Sequence, residues 1–231
     1  MANVSNRQRI FETVYRDTAS TDNPDFVVPQ VLFQDANKYI LTLPEFYDQV
    51  YALDDVCDVD YLIPACPPTF NMNMKLLNTV ADFVKGKAPL PSKGTIIASE
   101  KTLCDECERE KPEKMAVENI HRVHEVELDP EKCFLEQGII CLGPATRAGC
   151  EAPCITANMP CRGCMGPTKA VIDQGGSMLS AIASILSITD RETEIGEEEI
   201  DKLVSQLKDP LGTFYRFTMP KSLLVRVVQD K

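Results

Sequence analysis

Eight of the ten cysteines fall between positions 104 and 164, at Cys104, Cys107, Cys133, Cys141, Cys150, Cys154, Cys161 and Cys164, in a stretch full of proline and glycine. From about Ala88 to Pro167 no apolar periodicity of helix or strand persists, so that stretch lacks an ordinary core. Metal–thiolate bonds are what usually replace missing apolar burial in such a segment. The opening, MANVSNRQRIFETV, carries charges where a signal peptide would be apolar, so the expected location is cytoplasmic and reducing. Structural disulfides are disfavoured there, and eight thiols make two sets of four. A redox dithiol fits poorly, because its C-x-x-C belongs at a strand–helix turn of a compact unit, and here there are two such motifs in irregular chain.

Zinc and iron–sulfur clusters are the competing occupants. C-x-x-C pairs are common in zinc sites. The spacings Cys133–Cys141 and Cys150–Cys154 are ones that zinc knuckles seldom use, and CLGPATRAGC and PCRGCMGP supply glycine and proline loops whose N–H groups can face sulfur. The same loops carry Arg147 and Arg162, so residues 137–169 hold more base than acid within a chain of formal net charge −11. That offsets an anionic cluster. Two [4Fe–4S] clusters are therefore favoured over zinc, although the ferredoxin signature C-x-x-C-x-x-C-x-x-x-C-P is absent.

The flanking segments read as α/β. SNRQRIFETVYRDT has Ile10, Val14 and Tyr15 at near-helical spacing with Ser5 as cap, and PEFYDQVYAL predicts a helix with an inner stripe of Phe46, Val50 and Leu53. VDYLIPACPP predicts a buried strand running into a rigid turn, and FNMNMKLLNTVADFVKG a helix closed by Gly86. Beyond the cysteines, AVIDQGGSMLSAIASILSI and GEEEIDKLVSQLK predict helices, and GTFYRFTMP an aromatic strand or packing tail. The acidic charge argues against nucleic acid as a partner, and the longest apolar stretch, Met178 to Ile188, is too short for a membrane span.

Taken together, STDNPDFVVPQ, DVDYLIPACPPT, CDECEREKPEK, CFLEQGIICLGPATRAGCEAPC, NMPCRGCMGP and DPLGTFYRF resemble the small, electron-transferring subunit of [NiFe] hydrogenases, most of all the methyl-viologen-reducing, deazaflavin-non-reducing type. The likeness runs over nearly the whole chain. It implies a distal cluster on Cys104, Cys107, Cys133 and Cys141, and a medial one on Cys150, Cys154, Cys161 and Cys164, with Cys154 as the ligand that makes the medial cluster four-iron. It also implies that Cys66, in CPP, is one ligand of a third, proximal [4Fe–4S] cluster found only in the full-length subunit. The other three ligands of that cluster would stand in strands missing from the start of this chain.

The fold expected is thus the C-terminal part of a flavodoxin-like parallel-sheet domain over residues 1–90, an irregular iron–sulfur domain over 91–170, and helices and a tail over 171–231. The implied role is that of an oxidoreductase subunit without catalytic residues of its own. It would relay electrons from a large subunit, where nickel and iron split hydrogen, to an iron–sulfur or flavoprotein acceptor subunit, a heterodisulfide reductase-linked one among the options. The related twenty-kilodalton subunit of NADH:quinone oxidoreductase lacks an eight-cysteine extension. The alternative from another class is a zinc-stabilised scaffold without redox activity. His121 and His124 read as solvated or interfacial, GEEEID as a charged helix start, and Cys57 as an ordinary thiol.

Overall fold

The computed structural model describes residues 5–186 and 197–224. Two compact units emerge, one from residues 1–56 with 219–231 and one spanning 57–218.

In the first unit, α1 (Arg7–Glu12) begins at Asn6, whose Oδ1 accepts from the Arg9 N–H at 2.8 Å; the cap is Asn6 and not Ser5. The helix widens into a π-type turn over Thr13–Asp17. A small antiparallel hairpin follows, β1 (Leu32–Gln34) against β2 (Ile40–Thr42), with Phe33 opposite Leu41. The helix expected over residues 44–53 is absent. Only the single turn α2 (Leu53–Val56) forms, and Phe46, Val50 and Leu53 are all exposed. Its stripe has no inner surface to pack on, and a short helix without tertiary packing is marginal. Local contacts win instead: the Phe46 ring stands edge-on to Phe11 at 5.4 Å, its carbonyl accepts from the Arg7 guanidinium, and that same group pairs with Asp48 at 3.3 Å.

The second unit opens with a β–α–β arrangement. Strand β3 (Tyr61–Leu62) pairs in parallel with β4 (Thr95–Ile96), and α3 (Phe70–Val84) makes the crossover that parallel strands require. Thr69 caps α3, and Gly86, at φ 66°, ends it in the left-handed conformation that glycine adopts without cost. The strand expected in VDYLIPACPP forms only over Tyr61–Leu62 and is half-buried rather than buried; a turn follows it, and the Cys66–Pro67 bond is cis. Met72 is buried, whereas Phe70, Leu77, Phe83 and Val84 are exposed along the helix.

Residues 98–172 form loops with isolated bridges such as Thr102 with Arg147 and Thr146 with Pro167. Regular structure is limited to single turns, including α4 (Pro153–Thr156). Phe134, Leu142, Ala148 and Met165 nevertheless lie fully buried, and α5 (Gln174–Ile185) buries Met178 and Ile182. Asp173 caps α5 by accepting from the Gly176 N–H at 2.8 Å. After it come α6 (Glu197–Ser205) and α7 (Pro210–Phe214). The aromatic tail is not a strand: its start lies in the helix that Asp209 caps, Tyr215 to Thr218 form a turn, and Phe214 and Tyr215 are buried, so its role is packing. Ser187, Ile188 and Gly196 of the two expected helices lie outside the described residues.

Candidate metal centre

The C-x-x-C turn of Cys104 and Cys107 is set by a capping box, in which Asp105 Oδ2 accepts from Thr102 N at 2.8 Å and from Thr102 Oγ1 at 3.0 Å. Lys111 clamps its far side, Nζ donating to the carbonyls of Cys104 at 2.9 Å and Cys107 at 3.1 Å. Cys133 is held by its N–H to the Glu110 carbonyl at 2.9 Å, and Gln137 Nε2 donates to the carbonyls of Asp129 and Lys132 around it. Cys141 comes in from the Gly143 turn. All four thiols line one cavity, whose other walls are apolar groups including Leu103, Phe134, Pro144 and Ile155 together with the two cations Arg109 and Lys111. Gly143 reports their convergence: a Cβ built there would stand 3.4 Å from Cys104 Sγ and 3.5 Å from Cys141 Sγ.

Burial governs the chemistry of these thiols. It pushes Cys104 up to about 11, with Lys111 opposing and Cys133 and Cys107 adding, and Cys141 likewise to about 11 against the N–H groups of Gly143 and Cys161. Such thiols are protonated at neutral pH, and a metal or cluster that replaces their protons supplies the charge partner they lack.

The second group of thiols is joined to the first by a hydrogen bond, the Cys161 N–H donating to Cys141 Sγ at 3.3 Å. Burial raises Cys161 to about 12, while the Gly163 N–H, 3.4 Å from its sulfur, works the other way. Burial also raises Cys164 and Cys150; Cys164 lies close enough to Cys154 to feel its charge, and Cys150 to feel that of Cys164. Cys154 is exposed on α4. Cys66, also exposed, lies beside this group, its backbone N–H directed at Cys164. Arg147 braces the loops, its guanidinium donating to the carbonyls of Ser99 at 3.0 Å and Pro167 at 2.9 Å, and buried Gln174 ties α5 to Gly163 and Thr146. Arg162, by contrast, is exposed.

None of the ten cysteines is in a disulfide. Among the described residues, no three His, Cys, Asp or Glu side chains stand close enough to share one metal ion. The sequence reading missed Arg109, which lines the same cavity, is only 6% exposed and has a buried Nε without a partner. Its signal was a single base in the acidic run Glu106, Glu108, Glu110. A buried cation facing four thiols is the complement of an anionic centre. His121 and His124 lie in a separate groove of about 330 Å³ with Arg122, Arg162, Lys208 and Arg216, away from the thiol-lined cavity.

No family model matches the chain. It is 36% identical over 228 residues to the F420-non-reducing hydrogenase iron-sulfur subunit of Archaeoglobus profundus, covering 97% of this chain and 67% of that protein. It is 35% identical over 233 residues to the corresponding F420-non-reducing hydrogenase subunit of Methanothermobacter thermautotrophicus, covering 100% of this chain and 68% of that one. A shorter match, 29% over 115 residues, is to the sulfhydrogenase 2 subunit delta of Pyrococcus furiosus, with 49% and 36% covered. The chain thus spans about two thirds of the length of its fuller relatives. Identity at this level over nearly every residue, cysteine segment included, makes the chain a member of the F420-non-reducing hydrogenase iron-sulfur subunit family.

Proposed function

We propose that this chain is the iron–sulfur electron-transfer part of a [NiFe] hydrogenase, carrying electrons from a hydrogen-splitting large subunit to an iron–sulfur or flavoprotein acceptor subunit, one linked to heterodisulfide reductase included. The observation that carries the reading is the cavity lined by Cys104, Cys107, Cys133 and Cys141, with Arg109, Lys111 and no carboxylate among its lining residues. Those four would hold a distal [4Fe–4S] cluster and Cys150, Cys154, Cys161 and Cys164 a medial one. Each would supply a one-electron carrier. The chain's own part is to exclude water, to aim N–H groups at Cys141 and Cys161, and to link the two ligand sets through the Cys161–Cys141 hydrogen bond.

Cys66 is assigned to a third, proximal [4Fe–4S] cluster expected in the full-length subunit. In support of a flavodoxin-like origin for residues 1–90 stand strand β3 and helix α3, which lead to the parallel partner β4 just past that boundary, and the uncovered apolar residues of α3, which a larger sheet or a partner would bury. The proposed divisions remain 1–90, 91–170 and 171–231, and the proposed location is the cytoplasm; no helix among the described residues is long and apolar enough to cross a membrane. The test is to assemble the full-length subunit with its large partner and expose it to hydrogen. Bleaching of the visible absorption of this subunit is expected. A colourless, zinc-containing subunit that does not respond would support the scaffold reading instead.

A further inference from the structure

Arg109 is fixed from every side except that of a charge partner. Its Nη1 donates to the carbonyls of Asp129 at 2.8 Å and Lys132 at 2.7 Å, and its Nη2 to Asn158 Oδ1. The guanidinium sits over the Phe134 ring, with Cζ 3.8 Å from its centroid. Among the described residues no carboxylate is within ion-pair distance of it. On its outer side Arg109 borders a groove shared with Glu106, Glu108, Glu110, Glu131 and Glu151, none of them paired with it, and of these Glu106 accepts from the Gly149 N–H at 2.7 Å. On its inner side lies the desolvated thiol cavity, where charges interact strongly.

An isolated buried cation is costly, and three hydrogen bonds to neutral oxygens do not neutralise it. What would neutralise it is an anion in the cavity. We propose that Arg109 is a buried counter-charge, additional to exposed Lys111 on the same cavity, that raises the reduction potential of the centre held by Cys104, Cys107, Cys133 and Cys141, drawing electrons toward it; this rests on the cluster reading above. Reduction adds one electron to an already anionic centre and neither forms nor breaks a bond. A fixed cation beside it therefore favours the reduced form more than the oxidised one. Phe134 and the two carbonyls hold the guanidinium in place, so the effect is built into the fold.

The test is an EPR-monitored redox titration of the assembled enzyme, dithionite supplying the electrons. In Arg109→Gln, one centre should shift at least tenfold toward its oxidised form, which for one electron is about 59 mV lower. Exposed Lys87→Gln, outside the cysteine loops, should move neither centre. Arg109→Lys, which keeps the charge and loses the fork, should fall between wild type and the Gln variant. A fall as large as that of Arg109→Gln would assign the effect to hydrogen bonding and overturn the proposal. Unmoved potentials in an iron-replete Arg109→Gln protein would overturn it too, leaving the cluster reading intact, whereas unaltered protein without iron would overturn that reading instead. Should Arg109→Gln not assemble, Asn158→Asp gives the guanidinium a carboxylate on an isosteric side chain. The same downward shift is expected there, and no shift would overturn the proposal.

Discussion

Gly138 lies between two of the proposed ligands, Cys133 and Cys141, and alanine there should be among the most damaging of small substitutions. Its φ of 72° is left-handed, a conformation that costs an L-residue with a Cβ about 1–2 kcal/mol. Space is the second problem: a Cβ would stand 2.4 Å from the Asn119 carbonyl oxygen and 3.1 Å from His121 Cδ2. The first of these is a backbone atom, and the neighbouring His121 N–H bonds the Gly138 carbonyl at 2.9 Å, so the two strands of chain must part for the methyl to fit. Overpacking of this kind typically costs about 1–3 kcal/mol. The two effects together come to about 2–5 kcal/mol, a large share of a typical domain's stability of about 5–15 kcal/mol. Gly86 isolates the first effect, because at φ 66° it has nothing within 4 Å of its Cβ position. Urea unfolding of the iron-loaded chain under argon should therefore show Gly138→Ala less stable than Gly86→Ala by the overpacking cost, about 1–3 kcal/mol. Equal losses in the two variants would refute the packing argument.

Further expectations follow from neighbouring residues. Gly143→Ala should leave unfolding of the metal-free chain nearly unchanged, because its methyl meets Cys104 and Cys141 at ordinary contact distances, yet it should lower iron content by intruding on the thiol cavity; full iron would count against that cavity as the site. Cys154→Pro, at a first-turn position of α4 where proline is tolerated, should convert one four-iron centre to a three-iron one, seen by EPR of the oxidised variant. Burial and the Asp173 carboxylate raise the Tyr215 hydroxyl above its ordinary value of 10.0, so it contributes stability in full below the unfolded-state value, lost as pH rises through the folded one. Urea midpoints should fall on that alkaline limb in the wild type, with the Tyr215 share of the fall missing in Tyr215→Phe.

Much of the outline could be read from local chemistry. Thr69 and Gly86 bracket α3, and Asp173 opens α5, because caps and left-handed glycines act within a few residues. The segment 44–53 misled because a helical apolar stripe predicts a helix only if another surface covers it, and Phe46 found Phe11 instead. In the tail, Asp209 and Pro210 were a legible helix start, overshadowed by the strand-like aromatics after them. At the site, spacing named the cysteines. It could not name Arg109, Lys111 or Gln137, since their roles come from contacts between loops distant in sequence, as Arg109 with Asn158 illustrates. Arg147 and Arg162 looked alike in sequence, and the fold buried one and exposed the other.

The central claim is that eight thiols of one chain hold two cubanes, and counting iron tests it most directly. The chain purified anaerobically, with iron and acid-labile sulfide measured per protein, should give about eight of each, four per cluster. Cys104→Ser with Cys133→Ser should halve both, leaving the second group loaded. One zinc or none per chain, or loss of all iron in that double variant, would contradict two independent four-thiol centres.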